Sequence, residues 1–265
     1  MPFAFVNGLN LYYERHGRGT PLLFIHGLGS STRDWEYQVP VFADAHEVIL
    51  CDVRGHGRSD KPPGPYSVPL FAADILALMR HLEIIPAHVV GVSMGGMIAF
   101  QMAAEAPEAL RSMVVVNALP ELLVRGFWGR LEFAQRLAIT RLLGMRRMGR
   151  FLAKRMFPEP EQAEIRRTFE ARWAENDRRA YLEALRGVVN WSVAERLPEM
   201  DIPALIVAGE FDSFPLEAKR ACAERMPRAE LAVIPGSRHG TPVDQPEVFN
   251  RLVLNFLRRV EQKSL

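Results

Sequence analysis

Along most of this chain, short runs of consecutive apolar residues alternate with longer stretches whose apolar positions recur every three or four residues. The short runs end in Leu22–Ile25, Val48–Cys51, His88–Val92, Met113–Val116, Ala204–Ala208 and Leu231–Ile234. A strand with one wet face would alternate apolar with polar residues. These do not, which predicts strands buried on both faces of a parallel sheet. Pro69 to Leu82 carries apolar residues at Leu70, Phe71, Ile75, Leu78, Met79 and Leu82, and Met94–Ala106 and Val248–Val260 are patterned in the same way. All three predict helices with one buried face. At the start, Phe3–Val6 and Leu9–Glu14 flank Asn7-Gly8, a dipeptide that tolerates the positive φ of a type I′ turn and predicts an antiparallel hairpin. The alternation as a whole predicts an α/β fold: a mostly parallel, doubly wound sheet with an N-terminal antiparallel hairpin and helices on both faces.

The pattern breaks between about Leu119 and Pro198. That stretch lacks β-branched runs and reads as helices over about 121–143, 145–156, 160–174 and 177–188. It holds sixteen Lys and Arg against ten Asp and Glu, so it is basic while the rest of the chain is slightly acidic. An all-helical basic insertion in an α/β chain reads as a lid grown from a loop over a site. The expected organisation is a core of residues 1–118 and 199–265 with a helical cap of residues 119–198.

Composition narrows the function. A net charge of +2 on 265 residues gives no case for nucleic-acid binding, and 48% apolar residues is ordinary for a globular chain. Two cysteines, Cys51 and Cys222, cannot form a disulfide framework and read as buried free thiols. Nothing has the ligand spacing of a metal site, and no cofactor is expected. No apolar run approaches the roughly 18 residues of a membrane span. The segment Met1–Gly8 has neither the basic nor the apolar region of a signal peptide, so a cytoplasmic protein is expected.

The strongest chemical signal is Gly91-Val92-Ser93-Met94-Gly95-Gly96, a G-x-S-x-G pattern between an apolar strand and an apolar helix. In that setting it predicts a nucleophile elbow, with Ser93 on a strained turn and the glycines making room for it. A serine hydroxyl needs a base. His239, in a polar loop after the last strand, is the candidate, and Asp212, directly after the strand 204–208, is the acid that would orient its imidazole. Glu210 is the fallback acid. Asp244, near His239 in sequence, is assigned to the loop entering the last helix.

These motifs, with His26-Gly27-Leu28-Gly29 after the third strand and Asp52-Val53-Arg54-Gly55-His56-Gly57-Arg58-Ser59 after the fourth, make the chain resemble the α/β-hydrolases. The likeness is to the esterase, lactonase and C–C hydrolase group with a helical cap, and it covers nearly the whole chain outside the cap. The resemblance implies the catalytic order Ser93, Asp212, His239 and an oxyanion hole made by the backbone N–H groups of Leu28 and Met94. It gives His26 a bracing role and the 52–59 segment a structural one. Relatives that alkylate an aspartate at the elbow, the dehalogenases and epoxide hydrolases, are set apart by Ser93. Thr241-Pro242, after His239-Gly240, departs from the bulkier residue common in relatives and is expected to alter the pocket beside the base.

Within the cap, Phe127–Phe157 carries eight basic residues (Arg130, Arg136, Arg141, Arg146, Arg147, Arg150, Lys154, Arg155) and one acid, Glu132. Its apolar set includes Trp128, Leu131, Leu142, Leu143, Met145, Met148, Phe151, Leu152 and Met156. Three readings stand: an apolar roof with a solvated basic outer face, a weak contact with an anionic membrane surface, and an arginine turned inward to hold a substrate carboxylate. The expected function is a serine carboxylic-ester hydrolase working through an acyl-enzyme on small to medium-chain acyl esters. A lactonase or C–C bond hydrolase on a small carboxylated metabolite is the alternative, and a non-catalytic ligand receptor is the alternative from another class.

Overall fold

The computed structural model describes residues 2–124 and 126–263, and of Trp128 and Glu132 it describes the backbone alone. In chain order the strands are β1 (Phe3–Val6), β2 (Leu9–His16), β3 (Thr20–Ile25), β4 (His46–Cys51), β5 (Ala87–Val92), β6 (Leu110–Val116), β7 (Glu121–Leu122), β8 (Trp191–Ser192), β9 (Ala204–Gly209) and β10 (Ala229–Ile234). The helices are α1 (Val39–Phe42), α2 (Val68–His81), α3 (Met94–Glu105), α4 (Gly126–Ala138), α5 (Gly144–Met156), α6 (Ala163–Ala174), α7 (Arg178–Val188), α8 (Leu216–Arg225), α9 (Thr241–Asp244) and α10 (Pro246–Gln262).

Eight strands form one sheet in the order β1-β2-β4-β3-β5-β6-β9-β10. β1 pairs with β2 and β2 with β4 antiparallel, and every later pairing is parallel. The β1–β2 turn has both Asn7 (φ 48) and Gly8 (φ 77) at positive φ, as its dipeptide predicts. Both sheet faces are covered. Leu22, Phe24, Val48 and Leu50 pack with Phe249, Val253 and Leu257 of α10 on one side, while Leu23, Ile25, Ile49 and Val89 pack with residues of α2 and α3 on the other. This double burial is the reason those strands read as continuous apolar runs. Cys51 and Cys222 are buried free thiols.

Between β6 and β9 the chain leaves the sheet. The helix expected over 121–143 begins only at Gly126, because Glu121–Leu122 pairs antiparallel with Trp191–Ser192 as a two-residue ribbon. Bonds from Asn190 N to Leu122 O (2.7 Å) and from Val193 N to Pro120 O (2.8 Å) close the base of the insertion. A π-turn over Ile139–Leu143 separates α4 from α5. Met145, Met148, Trp173, Tyr181 and Leu185 give these helices a small apolar core of their own. Ala180, Ala184 and Val188 of α7 pack into the main core, and polar side chains also tie this segment to the rest of the chain. Arg172 binds both Glu36 carboxylate oxygens (2.9 and 3.0 Å) and donates to Arg33 O (2.9 Å), and Asn176 donates to Gly29 O (2.7 Å). No helix among the described residues is long and apolar enough to cross a membrane.

Candidate active site

The parallel strands β3, β5, β6, β9 and β10 end along one edge, and the loops that leave them carry the candidate residues. Ser93 sits between β5 and α3 with φ 54 and ψ −115, a conformation that costs a side-chain-bearing residue energy and is found where function requires it. Its N–H donates to Val116 O at 2.9 Å. The turn is tight enough to exclude side chains on either flank: a Cβ at Gly91 would run into Gly95 O, and one at Gly95 into Ile25 O. Ser93 therefore stands against the β3 loop, and a Cβ at position 27 would be 3.5 Å from the Cβ of Ser93. The next residue, Leu28, and the first residue of α3, Met94, have N–H groups that make no hydrogen bond among the described residues.

His26 anchors this loop. Its Nε2 accepts from Val53 N–H at 3.0 Å, so Nδ1 carries the proton and donates to Gly27 O at 2.7 Å. Burial holds its imidazole down at about 4, so it stays neutral. Asp52 braces the same region by accepting from the N–H groups of Thr32 and Arg58, both at 2.7 Å. Burial pushes its carboxyl up, against the pull of those donors.

On the far side of β6, Asp212 follows β9 and His239 lies between β10 and α9. His239 Nδ1 donates to Asp212 Oδ1 at 2.6 Å. The Asp212 side chain is fully buried, and that of His239 is about one-fifth exposed. Burial alone would raise the Asp212 carboxyl, but the bonds and charges of His239 and Lys219 outweigh it and hold it down at about 2. Among the described residues no hydrogen bond joins Ser93 Oγ and His239, so of the two joints in the predicted relay one is made.

Glu210 accepts from Gly236 N (2.8 Å), and among the described residues it makes no hydrogen bond or ion pair with His239. Asp244 is the last residue of α9 and not part of a loop, and it accepts from Ser237 Oγ and Arg238 N of the His239 loop, both at 3.0 Å. Thr241 is buried and bonds Ser237 Oγ (2.7 Å), Asn117 Nδ2 (2.8 Å) and Arg238 O (3.0 Å), holding the His239 loop from beneath.

Two residues at this site have no counterpart in the sequence reading. Lys219 of α8 is buried and forms an ion pair with Asp212 Oδ2. Asn117, just past β6, accepts from Lys219 Nζ (3.1 Å) and Gly209 N (2.8 Å), and donates to the carbonyls of Arg238 and His239. The signal for Lys219 was helical spacing. It falls three residues before Cys222 and four before Ala223, on the buried stripe of α8, where an unpaired lysine does not belong.

Of the basic residues in 127–157, Arg136 is half-buried and donates from Nε to Tyr181 Oη at 2.7 Å, and the other seven are exposed. The sequence-named side chains of Trp128 and Glu132 lie outside the described residues. Among the described residues no group of three potential ligands could hold a metal ion.

The alpha/beta hydrolase fold model matches residues 20–246, most of the chain. The chain belongs to that family. A protein of Azorhizobium caulinodans named "Putative carbamate hydrolase RutD" is 31% identical over 99% of this chain and all of its own length. The 3-oxoadipate enol-lactonase 2 of Acinetobacter baylyi is 28% identical over 90% of this chain and 88% of its own. The solved structure of a thermophilic esterase from Thermogutta terrifontis superposes with a TM-score of 0.85 at 25% identity, covering 98% of this chain and 97% of that one. The chain is accordingly a hydrolase.

Proposed function

We propose that the chain is a serine carboxylic-ester hydrolase working through an acyl-enzyme. The observation that carries this reading is the 2.6 Å bond from His239 Nδ1 to the buried Asp212 carboxylate, on the strand edge that also presents Ser93 from its strained elbow. With Nδ1 committed to Asp212, Nε2 is the free base. It takes the Ser93 proton as Oγ attacks the acyl carbon, and Asp212 stabilises the imidazolium that forms. The N–H groups of Leu28 and Met94 receive the tetrahedral oxyanion, the second reinforced by the N-terminus of α3. Collapse expels the alcohol, which takes its proton from His239. The same imidazole then deprotonates the water that releases the acid.

The surroundings of the base favour an apolar acyl group of small to medium length. Phe157 and Met156 at the end of α5 pack onto Gly240, the neighbour of His239, and the ring centroid of Phe214 lies 6.0 Å from that of His239. In this reading residues 119–198 are a cap whose apolar side faces the site, while the seven exposed basic residues of 127–157 face water.

A second reading is supported by the enol-lactonase relative, and the relative named for carbamate hydrolysis extends it: the same attack at an acyl carbon opens a lactone or cleaves a carbamate. The test is hydrolysis of p-nitrophenyl esters from acetate to palmitate, wild type beside Ser93→Ala. A Ser93-dependent rate that peaks at a short or medium chain is expected. No Ser93-dependent turnover on any ester would overturn the ester reading in favour of a lactone or carbamate.

A further inference from the structure

The acid that partners His239 is shared. Asp212 offers Oδ1 to the imidazole and Oδ2 to Lys219, and neither the Asp212 nor the Lys219 side chain has any solvent exposure. An ammonium in the interior is costly unless it is paired and hydrogen-bonded. Here it is both. Besides the ion pair, Lys219 Nζ donates to Asn117 Oδ1 at 3.1 Å. Asn117 in turn donates to the main-chain carbonyl of His239 at 3.0 Å, so the cation is tied to both ends of the Asp212–His239 pair. α8 turns this lysine inward at a position that packing alone would fill with an apolar residue.

We infer that Lys219 is a positioning residue of the reaction: its ammonium, clamped between Asp212 Oδ2 and Asn117 Oδ1, fixes the carboxylate that orients His239 and offsets part of its negative charge. The inference rests on the reading of Ser93, Asp212 and His239 as one catalytic unit. Two consequences follow. First, Asp212 cannot rotate its Oδ1 away from His239 without breaking a buried ion pair, so the base is held in one tautomer and one orientation before substrate arrives. Second, the imidazolium formed during attack meets a carboxylate already partly neutralised. Its formation is less favoured than beside a lone carboxylate. The burial of Lys219 pulls its own pKa down and Asp212 pulls it back up, so the charges of the two groups are mutually dependent.

The experiment titrates the His239 imidazole by NMR in the Ser93→Ala protein, alone and combined with Lys219→Met or Lys219→Gln, so the readout does not depend on turnover. Removing the cation should move the His239 titration up by about one pH unit in either variant, as expected for a unit charge a few ångströms away at a moderate effective dielectric. With Ser93 restored, the acid limb of kcat/KM on a p-nitrophenyl ester should move by the same amount, while kcat falls about tenfold and KM changes less than about twofold. Lys219→Gln retains a hydrogen-bond donor without the charge, and it serves where Lys219→Met does not fold. An unmoved His239 titration in a variant with native circular dichroism overturns the inference. A titration that moves in a protein with no Ser93-dependent esterase activity leaves the role of Lys219 standing and removes the ester reading alone.

Discussion

Asn117 donates from Nδ2 to the carbonyl of His239 at 3.0 Å across 122 residues of sequence, and through that bond the end of β6 holds the loop that carries the base. The same amide bonds Arg238 O and Thr241 Oγ1, while its carbonyl oxygen takes Gly209 N and Lys219 Nζ. Asn117→Ala leaves each of these partners short of a bond in a buried setting. We expect a loss of about 2–4 kcal/mol in unfolding free energy. In the folded fraction kcat should fall at least tenfold, measured by urea denaturation and ester kinetics on the same preparation.

The Asp212–Lys219 pair predicts an unusual double-mutant cycle. Asp212→Asn removes the orienting charge and also strands a buried ammonium, so it should cost about 3–5 kcal/mol of stability as well as activity. Adding Lys219→Met should return much of that stability and none of the activity. Equal stability of the single and double variants would show that the ion pair is not coupled in this way.

How far the site was legible depends on how local each signal is. Ser93 was readable because the elbow is a contiguous strand–turn–helix whose glycines answer to contacts within six residues of sequence and to the two neighbouring strands, β3 and β6. Asp212 and His239 were readable because each lies in the loop that leaves an apolar run, and a parallel sheet places every such strand end on one edge. Lys219 and Asn117 were not singled out, because their meaning is tertiary: a lysine on the inner stripe of α8 makes sense only once Asp212 is seen beside it. The β7–β8 ribbon escaped for a related reason, since two-residue strands carry no periodicity and form by closure of the insertion's two ends. The buried bond between Thr241 and Asn117 escaped for the same reason as Lys219, since its partner comes from another part of the chain.

Ser93 and His239 act as a unit in the proposed mechanism, so their losses should not add. Ser93→Ala and His239→Ala are each expected to lower kcat by several orders of magnitude, and the double variant should be no worse than about tenfold below either. Fully multiplicative losses would indicate two independent contributions.

Three buried histidines set the acid stability. Burial holds His26 at about 4, His56 at about 3 and His88 at about 4, while the same side chains titrate near 6.5 when unfolded. Between about pH 6.5 and 4 the unfolded chain therefore binds more protons than the folded one, and stability rises with pH across that window. Asp34, Asp52 and Asp244, whose carboxyls are pushed up by burial, act in the opposite sense and blunt the lower end. The urea midpoint should fall steadily from pH 7 to pH 4.5. A flat midpoint over that range would mean that these histidines are not held neutral by the fold.

The central claim is that Ser93 is a nucleophile activated by His239, and active-site labelling tests it most directly. A fluorophosphonate, added in slight excess and followed by intact mass and peptide mapping, should form a single adduct on Ser93. The adduct should be absent in Ser93→Ala and form far more slowly in His239→Ala. A folded wild-type protein that stays unlabelled, or that is labelled on a different residue, would contradict it.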